Sequence, residues 1–195
     1  MKKLLLSAFT ALALVACGGG TSNSCSQDCA SASKQDNRTE AAVQKAVERA
    51  YDYRFFVMNE DNKARKAEIA GEECDEVPES AYDMSAYLTR KFNTVYSQTL
   101  NKQMADDNLF LDYDFWINAQ DFSEVTGFDV KVTGCSGDRA TADVKFENLG
   151  SPTTIHLCLE YDKEISDWLI SDFIDGEDSS LMDSMIEFLN ADQSK

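Results

Sequence analysis

From Asn37 onward the chain sets apolar against polar residues in two successive rhythms. Val43, Ala46, Val47, Ala50, Tyr51, Phe55 and Met58 recur at steps of three and four, the spacing of one buried helix face. Asn37 and Glu40 stand at capping-box spacing before them. A long amphipathic helix is predicted there. Residues 59–83 lose the rhythm and carry the breakers Gly71 and Pro78, which leaves room for at most one short helix around Lys63 to Ala70. Leu88, Phe92, Val95, Tyr96, Thr99 and Leu100 then mark a second helix from about Ser85, with Arg90, Lys91 and Lys102 facing outward.

After a loop from Ala105 to about Glu124 the period falls to two. Phe128, Val130 and Val132 alternate with polar residues, followed by Ala140, Ala142, Val144 and Phe146, then Ile155, Leu157, Leu159 and Tyr161, then a run through Trp168, Leu169 and Ile170. Four strands are predicted. The breaks at Gly134 to Asp138, Asn148 to Pro152 and Asp162 to Glu164 are hairpin-sized, so the strands should form an antiparallel meander with one buried face. A closing amphipathic segment from Leu181 to Leu189 completes an α+β domain over residues 38–195, with the helices covering the sheet.

The first residues follow another logic. Lys2 and Lys3, an apolar run from Leu4 to Ala16 and the small residues before Cys17 have the order of an export signal. That run is too short to span a bilayer. Leu14-Val15-Ala16-Cys17 followed by Gly18-Gly19-Gly20 places the cut before a cysteine, which predicts lipidation of Cys17 in a bacterial lipoprotein. Acyl chains contribute about 0.8 kcal/mol per buried CH₂, and more than one chain on a residue anchors stably without a transmembrane helix. Residues 1–16 are then the signal peptide, and residues 17–37, rich in Gly, Ser, Asn and Gln, a flexible tether. Gly18, rather than aspartate, after the cysteine points to the outer membrane. The expected location is extracytoplasmic.

Charge narrows the partners. The net charge of −17 grows more negative when Lys2 and Lys3 leave, so nucleic acid is repelled and the membrane is met only through the lipid. Cys25, Cys29, Cys74, Cys135 and Cys158 remain as thiols, an odd number without a CxxC pair or zinc-ligand spacing. A structural disulfide in the domain would join two of Cys74, Cys135 and Cys158. No metal and no cofactor are expected.

Tyr87-Leu88-Thr89 at the second helix, the segment Asp112-Tyr113-Asp114-Phe115-Trp116-Ile117-Asn118-Ala119-Gln120-Asp121, and Trp168-Leu169-Ile170-Ser171-Asp172-Phe173 together resemble an uncharacterised family of bacterial secreted and lipoprotein domains. That family lies within the nuclear transport factor 2-like superfamily. The pattern commonly has proline where Phe115 stands, and its W-x-I-x-D ending is shared by many such folds. The resemblance covers most of residues 40–190 and implies a cone of helices on a bent antiparallel meander. It brings no catalytic residues.

Candidate chemistry concentrates at the mouth of the sheet, where Asp112, Tyr113, Asp114, Trp116 and Asp121 offer carboxylates beside aromatic rings. They are candidates for binding a small ligand, a peptide or an envelope protein. Solvated carboxylates contribute little to stability, so replacing Asp114 and Asp121 by asparagine is expected to cost about 0–1 kcal/mol each. Calcium would need the glycine and terminal glutamate of an EF-hand loop, which are missing. A competing reading makes Phe115 and Trp116 an internal plug, with the aspartates capping turns. A third is a small enzyme of isomerase or hydrolase type, with a buried Asp as base and Tyr87, Tyr96 or Tyr113 as acid. His156, the single histidine, falls on a polar strand face, and neither it nor nearby Cys158 has an orienting partner legible in the sequence. Asp172, Asp175, Glu177 and Asp178 precede the closing helix and should cap its positive end.

Overall fold

A computed structural model describes residues 37–122, 125, 127–175 and 179–191. Residues 1–36, where the signal peptide, Cys17, Cys25, Cys29 and most of the tether are expected, and also Glu177 and Asp178, lie outside the described residues. The elements run α1 (Glu40–Ala70), two 3₁₀ turns (Glu79–Tyr82 and Ser85–Tyr87), α2 (Arg90–Asp106), β1 (Asp129–Ser136), β2 (Arg139–Asn148), β3 (Ser151–Asp162), β4 (Asp167–Asp175), β5 (Ser179–Ser180) and α3 (Leu181–Asn190). Helices pack against a five-stranded antiparallel sheet in the order β1-β2-β3-β4-β5. Among the described residues no helix is long and apolar enough to cross a membrane.

Helix α1 corrects the sequence expectation at both ends. Its N-cap is Thr39, whose hydroxyl accepts from Ala42 N at 3.2 Å. Asn37 is used otherwise: its carbonyl accepts from Trp168 Nε1 at 2.9 Å and its side chain donates to Ser166 O at 3.3 Å. The helix continues unbroken through residues 59–70, where no apolar rhythm announces it. Ion pairs from Lys63 to Glu60 and from Arg65 to Asp61 run along that stretch, and Ala, Lys, Arg and Glu are strong helix formers on any face. Gly71 ends it at φ 72°, its N–H and that of Glu72 closing on Glu68 O and Ala67 O.

Helix α2 starts later than the pattern suggests, because Thr89 caps it through Phe92 N and Leu88 belongs to the sheet. Leu88 bridges Ile170 in parallel, and Thr89 N donates to Ile170 O at 2.9 Å. With β5 farther along, this covers much of the outer edge of β4. Of the expected α2 stripe, Phe92 and Thr99 are buried, whereas Val95, Tyr96 and Leu100 are half-buried. Lys102 is not an outward residue; only 18% of its side chain is exposed, and its ammonium lies over the Phe188 ring and pairs with Asp106.

The strands follow the predicted rhythm, with Val130, Ala140, Ala142, Val144, Phe146, Ile155, Leu157 and Leu159 on the inner face. Two irregularities reset it. Register shifts at Val132/Gly134 and at Cys158/Leu159 each insert an extra residue, Thr133 and Ser171, so Cys135 and Phe173 turn inward where strict alternation would send them out. Cys135 therefore packs on the inner face while Cys158 sits with the outward residues of β3, which keeps these two thiols apart. Cys74, Cys135 and Cys158 are all free.

Candidate binding cleft

The segment from Leu109 to Phe122, with Val125 beyond it, is tied down from three elements. Gln103 on α2 accepts from Phe110 N and Leu111 N at 3.1 and 2.7 Å. From α1, Asn59 exchanges two hydrogen bonds with the backbone of Val125, at 3.0 and 3.1 Å. From β2, buried Asn148 donates to Asp121 O at 2.9 Å. These side chains satisfy backbone groups that have no sheet or helix partner.

At its centre Asp114 and Ala119 form an isolated antiparallel bridge, with Asp114 N donating to Ala119 O at 2.9 Å. Asn118 turns the chain at φ 49°, a left-handed conformation that asparagine tolerates. This closure throws Phe115, Trp116 and Ile117 into the core. Trp116 is 3% exposed and packs edge-on against Tyr51 at 5.4 Å and Phe173 at 5.1 Å. Phe115 meets Phe173 at 4.8 Å and Tyr96 at 5.4 Å. The interior between sheet and helices is thus plugged by aromatic rings. Burial, with the nearby Asp114 carboxylate adding to it, pushes the Tyr51 hydroxyl well above its ordinary range. It stays protonated and donates to Trp116 O at 3.1 Å.

Outside the plug lies an open cleft of about 930 Å³, walled by α1, the 3₁₀ turns, α2 and the 109–120 segment. Arg54 and Asp114 form an ion pair in its wall, with only 15% and 18% of their side chains exposed. Asp114 Oδ2 takes Arg54 Nη2 while Oδ1 accepts from Trp116 N at 2.9 Å. Arg54 Nε is buried without a hydrogen-bond partner among the described residues. Beside the pair, the Tyr96 hydroxyl is pushed up by burial and by Asp114, against a smaller opposing pull from Arg54, so it remains a donor.

Of the five sequence candidates, Asp112, Tyr113, Asp114 and Trp116 line this cleft and Asp121 does not. Asp112 is exposed and accepts from Gln120 Nε2 at 3.0 Å. Asp121 is exposed elsewhere and contributes its backbone carbonyl to Asn148. The expectation that Asp114 is a solvated carboxylate is corrected by its ion pair and its bond to Trp116 N. Arg54 was missed by sequence reasoning, which attended to the apolar stripe of α1 and not to the cation between Tyr51 and Phe55. Tyr87 packs beside Tyr53, the ring centroids 5.8 Å apart and the planes tilted by 37°.

His156 lies on the outer sheet face as expected, 47% exposed, but it does have an orienting partner: Asp143, its cross-strand neighbour, meets Nδ1 at 2.7 Å. Two residues along, the Cys158 thiol is pushed up by burial and by Asp172, which holds it in the unreactive protonated form. The pair is a surface pair. His156→Gln should shift stability by less than about 1 kcal/mol, as read by urea denaturation; a larger loss would make the Asp143 contact a structural strut. Asp172 caps α3 as anticipated, accepting from Met182 N at 2.9 Å and from the N-cap Ser180 hydroxyl. Among the described residues no cluster of three or more His, Cys, Asp or Glu has the geometry for a metal ion.

Comparison of the chain with protein-family models, with curated proteins and with solved structures finds no match.

Proposed function

We propose that this protein is a lipid-anchored extracytoplasmic binding module of the nuclear transport factor 2-like cone type, which uses the cleft beside the aromatic plug to hold a small ligand, a peptide or a segment of an envelope protein. The observation that carries the reading is the open 930 Å³ cleft with a mostly buried ion pair in its wall, set against an interior otherwise filled by rings. Clefts of this size, lined by apolar and aromatic groups with a few fixed polar ones, are the usual form of a ligand site. Helices first, then an antiparallel meander bent by two bulges, then a closing helix, is the order that supports the cone. The anchor rests on Cys17 and its flanking residues.

An enzyme of isomerase or hydrolase type would need an uncommitted carboxylate beside a tyrosine. Asp114 stands beside Tyr96, yet both of its oxygens already accept hydrogen bonds from the protein, which favours recognition over proton transfer.

One experiment addresses anchor and cleft together. Tagged full-length protein is cross-linked in its own envelope as wild type, as Cys17→Ser and as Ser97→Trp. Ser97 is exposed and lines the cleft, so a tryptophan there fills the site without entering the core. The expected result is that Cys17→Ser leaves the membrane fraction or stalls in processing, while Ser97→Trp stays anchored, keeps its melting temperature and loses the cross-linked partner. Unchanged capture by Ser97→Trp would move the site elsewhere, and unchanged partitioning of Cys17→Ser would remove the lipid.

A further inference from the structure

Resting on the proposed lipid anchor, we infer that the domain meets the membrane with one end of its sheet, the end of the β1–β2 and β3–β4 turns, where Arg90, Lys163 and Ile165 contact phospholipid headgroups. The first observation is where the described chain begins. Asn37 is clamped to that end, its side chain donating to Ser166 O at 3.3 Å and its carbonyl accepting from Trp168 Nε1 at 2.9 Å. Arg38 beside it pairs with Asp138 in the β1–β2 turn at 3.2 Å. A chain arriving from Cys17 therefore joins the fold at a fixed point. Residues 17–36, rich in Gly and Ser, would span about 25 Å on average, whereas β3, with 12 residues, runs about 40 Å from this end of the sheet to the other. The anchored end is held nearer the lipid.

Charge decides whether a lipid surface tolerates that end. The net charge of −17, the ground for expecting contact through the lipid alone, is unevenly spread: residues 72–83 and 105–121 hold eleven carboxylates and no Lys or Arg. An anionic headgroup layer repels both segments. Residues 72–79 follow the far end of α1, and Asp121 is bound to Asn148 beside the β2–β3 turn, so this charge is carried away from the clamped end. At the clamped end the signs are even. Arg38 and Lys163 share Asp138, Arg49 holds Asp167, Arg90 stands 3.8 Å from Glu164, and Asp162 caps the β3–β4 turn. Arg90 and Lys163 are largely exposed, so their head groups exchange a solvated carboxylate for a lipid phosphate at little cost. In the same turn Ile165 stands 59% exposed, an apolar side chain of the kind that enters the boundary between headgroups and acyl chains. Clamp, charge balance and apolar tip coincide at one end only.

The test uses purified full-length protein in vesicles of phosphatidylethanolamine with phosphatidylglycerol, carrying photoreactive benzoylphenylalanine in place of Ile165 or of Leu149. Leu149, 60% exposed in the β2–β3 turn at the opposite end of the sheet, is the matched control. On irradiation, lipid adducts read by mass spectrometry should form several times more often from position 165 than from position 149. Arg90→Glu with Lys163→Glu should lower the yield at 165 severalfold while flotation with the vesicles and the melting temperature hold. Equal yields at the two positions, a higher yield at 149, or an unchanged yield after the charge reversal overturns the inference. Flotation separates this failure from that of the anchor. Wild type that floats with equal yields keeps the anchor and removes the chosen end, whereas wild type that does not float removes both. Cys17→Ser that floats as wild type does removes the anchor and, with it, the inference.

Discussion

Trp168→Ala should destabilise the protein by roughly 3–5 kcal/mol, among the largest effects of any single substitution in the chain. Trp168 is 2% exposed on β4, its ring meets Tyr161 edge-on at 5.4 Å, and its Nε1 donates to Asn37 O just before α1 begins. Alanine would leave a cavity of indole size and an unpaired carbonyl at the point where the first helix joins the sheet. Trp168→Phe separates the two contributions, since it keeps most of the ring and loses only the N–H, and should cost about 1–2 kcal/mol. Urea denaturation followed by the fluorescence of Trp116, the other tryptophan, reads both variants. A loss below about 1 kcal/mol for alanine would mean that the helix does not depend on this contact.

The second large effect belongs to the ion pair in the cleft wall. Asp114→Ala should cost roughly 2–4 kcal/mol, because it strips a mostly buried guanidinium of its counter-charge and Trp116 N of its acceptor in one step. Asp114→Asn should fall between alanine and wild type, since an amide oxygen still serves Trp116 N. Asp112→Asn, on the exposed rim of the same cleft, should cost less than about 1 kcal/mol. Replacing both partners at once, Arg54→Met with Asp114→Leu, should recover much of the loss, as apolar pairs do where a buried charge has been removed. Equal stabilities for Asp114→Ala and Asp112→Asn would show that the Arg54 contact is no more than a solvated surface pair.

The strands and the cores of both long helices were legible because each buries one face. Burial of one face writes a period of two or 3.6 into the chain, as in Val144 and Phe146 on β2 or Val47 and Tyr51 on α1. Where no face is buried, that signal disappears. Residues 59–70 are held helical by propensity, ion pairs and a few polar contacts from Asn59 and Asp61 rather than by a buried apolar face, so periodicity was silent there. The two bulges were hidden for another reason: an extra residue in a strand changes which side chains point inward without changing composition.

The sequence by itself determined the α+β order, the buried faces and the polar outer position of His156. It also marked residues 112–121 as the segment where carboxylates and aromatic rings gather. Only the tertiary structure decided which of them point where. Asp114, Trp116 and Arg54 are brought together by contacts across about sixty positions of chain, from Arg54 to Asp114 and from Tyr51 to Trp116. Asp143 finds His156 through strand register. Local pattern records how far each residue is buried; it does not record which distant residue completes its hydrogen bonds, because that partner is chosen by the packing of elements and not by spacing along the chain.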